Sequence, residues 1–170
     1  MYANSLQIQK EVSAVTEKEE KALKTVRSYM WWSGGASLIP IPWVDLLAVG
    51  GVQMKALADI SAIYGVPFQR NRGKAAIASL VGFVLPHAFA YGAIGCLLKA
   101  IPVVGPLSGG PAMAGFCAAY TWAMGRVFIQ HFESGGTFLD FHPEQVKEYF
   151  KAQFEEGRSM GGTLNTESPA

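Results

Sequence analysis

Apolar positions along this chain recur mostly at helical spacing, and no stretch alternates in the two-residue period of a half-buried strand. From about Ser5 to Trp32, Ile8, Val12, Val15, Leu23, Val26 and Met30 fall near one face, with lysines and glutamates on the other. This segment predicts an amphipathic N-terminal helix over residues 1–32. Ser33-Gly34-Gly35 then reads as a break, and Pro40 and Pro42 oppose immediate resumption. A second helix is expected from 42 to 64, where proline is tolerated in the first turn, with Gly65 as its C-terminal stop.

The third region differs in kind. After Arg70, Arg72 and Lys74 no charge appears until Lys99, and none again until Arg126. These stretches predict an apolar helical hairpin, 73–98 and 112–132, kinked near Pro86. The Pro/Gly-rich segment from Lys99 to Pro111 is expected to be its turn. Beyond a second break at Ser134-Gly135-Gly136, Val146, Tyr149, Phe150 and Phe154 share a face of an amphipathic helix within 136–157, which Asp140 or His142 could cap. Residues 158–170 are expected to be a disordered tail.

Composition sharpens this picture. Only 16% of the 170 residues are charged while half are hydrophobic, against about 25% charged in an ordinary soluble domain. About 20 consecutive apolar residues span a bilayer's hydrocarbon core, and the charge-free runs reach that length. The expected fold class is therefore all-α: a helical membrane protein, its central apolar hairpin flanked by amphipathic helices in a single membrane-associated domain over 33–135. Basic residues gather before and after the hairpin, and only Lys99 falls in its turn. That bias places both termini in the cytoplasm of a bacterial inner membrane. The turn can equally re-enter without crossing, and a bundle that buries the hairpin as its core is a third arrangement.

Charges nearly cancel along the first helix, which favours a partner helix or coiled-coil-like contact over strong attraction to anionic lipid. Trp31 and Trp32 at its end suit either a membrane interface or a core. A net charge of +1 without basic runs excludes a nucleic-acid binder. Cys96 and Cys117 lie within apolar segments and read as small buried hydrophobes.

Ordered motifs add a resemblance. Ile41-Pro42-Trp43-Val44-Asp45, Gln53-Met54, Ile63-Tyr64-Gly65-Val66-Pro67, Ile101-Pro102 and Tyr120-Thr121-Trp122-Ala123-Met124-Gly125-Arg126 together resemble the YcjF-like, GTPase-associated family of unknown function. The resemblance covers about residues 25–135. It implies a membrane-associated helical module of the kind often fused to or encoded beside a Ras-like GTPase domain. The chain has no G-x-x-x-x-G-K-[ST] loop, so any GTPase is a separate partner.

Candidate residues follow. Asp45, Gln53 and Tyr64 lie along one stripe of the second helix. They either cap and tie that helix or form a polar seam lining a pore or subunit contact. Arg126 either pairs with Asp45 or snorkels to headgroups. His87 after Pro86 either satisfies a carbonyl that the proline orphans or marks an ion path. Gly115, Ala119 and Ala123 form a small-residue stripe for close helix packing. No catalytic constellation is present, and no cofactor or metal is expected. The leading expectation is a non-enzymatic membrane module that forms homo-oligomers in the lipid bilayer and recruits a GTPase. The alternative is a subunit of a small oligomeric channel or transporter.

Overall fold

In the computed structural model the chain is all-α. Residues 2–36, 42–99 and 105–163 are described, with side chains over 11–33, 50–84 and 114–160. Five helices follow in order: α1 (Tyr2–Ala36), α2 (Pro42–Tyr64), α3 (Arg70–Lys99), α4 (Gly105–Glu133) and α5 (Pro143–Thr163).

α4 is the axis of the bundle, in contact with each of the other four helices. Every residue from Cys117 to Gly125 is buried, as are Val127, Phe128, Ile129 and Phe132. A helix with one apolar stripe buries about half its surface. One buried on all sides must be enclosed on all sides, by protein or by lipid. Here the described part of α4 is enclosed by α1, α2, α3 and α5. The second hairpin arm expected over 112–132 is thus, over its described residues, the core of a helical bundle. Among the described residues no helix is long and apolar enough to cross a membrane. Residues 85–113, the apolar centre of the expected hairpin, carry no described side chains.

Small residues let the neighbours close on this axis. A Cβ on Gly125 would stand 2.4 Å from a methyl of Val26 in α1, and a Cβ on Gly157 of α5 would stand 2.9 Å from the Ala119 Cα. Ala119 and Ala123 are fully buried in these contacts. Gly115, the third member of the expected stripe, faces open space. Aromatic rings lock the other joints. Phe150 and Phe154 of α5 meet Tyr120 and Phe116 edge-on, at 5.6 Å and 5.3 Å between centroids. At the C-terminal end of α4, Phe128 stacks on Phe141 at 4.6 Å and Phe132 packs against Phe138 at 5.4 Å.

Helix ends partly follow the sequence. Gly65 (φ 70°) stops α2 where expected. The Gly65 N–H donates to Ala62 O and the Val66 N–H to Ser61 O, the paired bonds that satisfy the last carbonyls. Gly135 (φ 83°) stops α4 with the same pair, from Gly135 to Phe132 and from Gly136 to His131.

Elsewhere tertiary contacts override local signals. α1 runs through Ser33-Gly34-Gly35 to Ala36, and the buried Ser33 hydroxyl donates to the Cys117 carbonyl of α4 at 3.2 Å. α3 starts at Arg70, ahead of the expected Gly73, and continues through Pro86. α4 starts at Gly105, so part of the expected turn is helical. Pro106 occupies the first turn, where no helical N–H is needed. α5 continues past Gly157 to Thr163, held by the glycine's close approach to α4. The rest of the expected tail, 164–170, lies outside the described residues. Asp140 does not cap α5; it accepts from the N–H and hydroxyl of Thr137, and those bonds hold its carboxyl below the usual range.

Gly125→Ala should cost about 1–3 kcal/mol by overpacking against Val26, whereas Gly115→Ala should stabilise by up to about 1 kcal/mol. Urea denaturation of both variants checks the pair, and equal effects would contradict the close approach.

Candidate functional site

Of the residues expected to form a polar seam, Gln53, Tyr64 and Arg126 carry described side chains. Gln53 is buried on the inward face of α2 with Leu57 and Ile60. Asp45 falls in the first turns of α2 and His87 within α3, but their side chains lie outside the described residues.

Tyr64 and Arg126 belong to a polar network around the C-terminal half of α4. The Tyr64 hydroxyl donates to Glu133 at 2.9 Å. Arg126 donates through Nε to Gln153 Oε1 of α5 at 3.1 Å and lies 3.8 Å from the Glu19 carboxylate of α1. Its described partners are thus Glu19 and Gln153, while the expected pairing with Asp45 lies outside the described residues. The guanidinium also sits 5.9 Å from the ring centre of Trp122, and Arg27 approaches the same ring at 6.0 Å. The Trp122 Nε1 is buried with no hydrogen-bond partner among the described residues. Arg126 therefore joins three helices, and its bonds lie within the chain.

A second cluster, which no sequence motif announced, lines the groove between α1 and α2. The Tyr29 hydroxyl makes a short hydrogen bond to Asp59, and Lys55 donates to both oxygens of the same carboxylate at 3.2 Å and 3.3 Å. Tyr29 and Asp59 hold the Lys55 ammonium above its ordinary range. The groove opens past Trp32, Gly51 and Val52 at one end and past Lys21, Lys24 and Ser28 at the other. The only available signal was the four-residue spacing of Lys55 and Asp59. The pairing with Tyr29 needed the α1–α2 packing.

Trp31 and Trp32 are 60% and 69% exposed, so the core reading of this pair is overturned. They end a stretch, Lys21 to Ala36, that holds Lys21, Lys24 and Arg27 and no acidic residue. Charge on α1 cancels only over the helix as a whole, because the glutamates all precede Lys21. No His/Cys/Asp/Glu cluster suited to a metal occurs among the described residues. His131 sets Nε2 2.8 Å from the Thr137 carbonyl.

Two measurements follow. A double-mutant cycle of Arg126→Ala with Glu19→Ala should read about 0.2–1 kcal/mol of coupling, given the pair's exposure; zero coupling removes the contact. Burial first, and then the bond to Glu133, hold the Tyr64 phenol well above its ordinary pKa. The folded chain therefore binds that proton more tightly than the unfolded one. This contribution is intact below about pH 10 and declines as pH rises beyond it. Tyr64→Phe should flatten the loss of stability between about pH 9 and 11 relative to the wild type, and unchanged urea-midpoint slopes would contradict the assignment.

Residues 1–159 match the family model described as "Domain of unknown function (DUF697)". The chain is 31% identical over 145 residues to Magnetosome membrane protein 22 of Magnetospirillum gryphiswaldense, covering 85% of this chain and 74% of that protein. No solved structure matches the chain. With the family model spanning all five helices almost to the end of α5, the chain belongs to the DUF697 family.

Proposed function

We propose that this protein is a non-enzymatic, membrane-associated helical module that self-associates and recruits a cytoplasmic partner. The resemblance to YcjF-like proteins makes a GTPase the first partner to test. The observation that carries the reading is the projecting half of α1. α1 and α4 run antiparallel, since Ser33 meets Cys117, Val26 meets Gly125 and Glu19 meets Arg126. α4 ends at Glu133, so α1 continues past the bundle on its N-terminal side. Every residue from 11 to 18 is exposed there.

The same stripe that buries Ala22, Val26 and Met30 continues into this projection as Val12 and Val15, which are 61% and 54% exposed. The stripe fits a seven-residue repeat through Ser5, Ile8, Val12, Val15, Glu19, Ala22, Val26 and Tyr29. An apolar seam on a projecting helix suits a second helix of the same or another chain. Membrane association is supported by the printed name of the relative and by the charge-free stretches of α3 and α4. A bacterial inner membrane with both termini in the cytoplasm remains the favoured address. The pore-subunit alternative is weaker, because Tyr64 and Arg126 direct their polar groups to Glu133, Glu19 and Gln153.

Purification in mild detergent, with light scattering and affinity capture, tests the reading. The wild type should be oligomeric or hold a partner. Val12→Asp with Val15→Asp should abolish this while changing stability by less than about 0.5 kcal/mol each, as expected for exposed positions. A monomer that captures nothing would sink the proposal.

A further inference from the structure

The contacts that fix helix levels also give the bundle a polar end and an apolar end. Trp32 lies beside Val52 in the α1–α2 groove, and Ser33 lies against Cys117. α2 begins at Pro42, ten residues before Val52, and α4 begins at Gly105, twelve residues before Cys117. At 1.5 Å per residue these helices continue about 15 Å and about 18 Å past the tryptophans. α3 runs antiparallel to α4, with Phe68 just ahead of α3 packed on Phe138 at the C-terminal end of α4 and the Tyr120 hydroxyl donating to Ile77 O at 2.7 Å, and continues in the same direction to Lys99. In sequence these three extensions carry Asp45 and Lys99 as their only charged residues.

Trp31 and Trp32 therefore stand at the neck where a bundle rich in charge gives way to three helix ends whose only charged residues are Asp45 and Lys99. Just below the neck lie basic groups. Arg27 is about 6–7 Å back along α1, Lys55 is level with Tyr29, and Lys24 is about 11 Å back. A headgroup layer is about 5–8 Å thick on each side of the hydrocarbon, so Arg27 and Lys55 match its depth and Lys24 lies near its outer edge. The acidic groups on this side are Asp59, bound to Lys55, and Glu20, 2.8 Å from Lys24. Arg27 has no acidic partner among the described residues, and Lys21 adds a further positive charge lower down.

We propose that this end of the bundle docks into the surface of an anionic phospholipid bilayer. Trp31 and Trp32 sit at the hydrocarbon boundary, Arg27 and Lys55 meet headgroup phosphates, and the three helix ends lie deeper. The proposal rests on the membrane reading above and adds to it a lipid class, an orientation and a depth order. Aromatic side chains with an apolar body and a polar edge favour that boundary, and each basic residue near an anionic surface strengthens binding about fivefold.

The test is flotation of the full chain with vesicles of phosphatidylcholine alone and of phosphatidylcholine with phosphatidylglycerol. Tryptophan emission with bromine-labelled acyl chains is read in parallel. The wild type should prefer the anionic vesicles, with the preference shrinking as salt rises. Trp31→Ser with Trp32→Ser should weaken binding to both vesicles and lower the quenching. Arg27→Gln and Lys55→Gln should each reduce anionic binding about fivefold, and Lys18→Gln, on the projecting half of α1, should leave it unchanged. Circular dichroism confirms that the surface variants fold. Equal binding to both vesicles, unaffected by these substitutions, overturns this inference and leaves the membrane reading standing. Binding to neither vesicle overturns both.

Discussion

The structure depends on the enclosure of α4. Its segment Cys117–Gly125 is buried on every side, and α1, α2, α3 and α5 together keep it dry. The other elements follow from this demand. α1 closes over Gly125, α5 closes over Ala119 through Gly157, and α3 receives the Tyr120 hydroxyl on the Ile77 carbonyl. Small residues set how near each helix comes. Dispersion contacts fall off steeply with distance, and close approach is what makes an all-apolar contact productive. The aromatic cluster of Phe128, Phe132, Phe138 and Phe141 then seals the end of the axis where α4 turns into α5.

Polar groups at the margins of this core are few and well defined. Arg126 connects α4 to α1 and α5, Tyr64 connects α2 to the end of α4, and Tyr29 with Lys55 and Asp59 joins α1 to α2. Arg126, Tyr64 and Tyr29 direct their polar groups to partners inside the chain, while the exposed Lys55 ammonium keeps donor capacity beyond its bonds to Asp59. The surfaces left for partners are therefore of another kind: the bare seam of α1 at Val12 and Val15, and the tryptophan neck at the opposite end of the same helix. α1 thus carries two separate surfaces because only its second half is covered by α4. The proposed role between a membrane and a partner needs that separation, since one surface can be occupied without blocking the other.

What the sequence determined by itself was the local physics. Helical spacing of apolar residues identified five helical segments, and Gly65 and Gly135 marked two of their ends because only a residue without a Cβ adopts the left-handed turn at little cost. The inward stripe of Gln53, Leu57 and Ile60 and the aromatic face of α5 were readable for the same reason. The all-α class followed directly. The ordered motifs around Tyr64, Trp122 and Arg126 pointed to a YcjF-like family of unknown function; what is shown is membership of the DUF697 family.

Tertiary structure decided everything that depends on what lies opposite. Apolarity on all faces is the same signal for a membrane span and for the central helix of a bundle, because both remove the helix from water; only the neighbours of α4 distinguish them over 117–132. The helical state of Ser33-Gly34-Gly35 rests on a bond to Cys117, eighty-four residues away in sequence, which no local propensity reports. Arg126 and Glu19, or Tyr29 and Asp59, meet because helices pack, and pairs so distant leave no periodic trace in one chain. The charges of α1 cancel when counted along the sequence. The bundle divides the helix where α4 ends, and with that division a nearly neutral helix acquires a projecting half whose charges balance and a basic, tryptophan-tipped half.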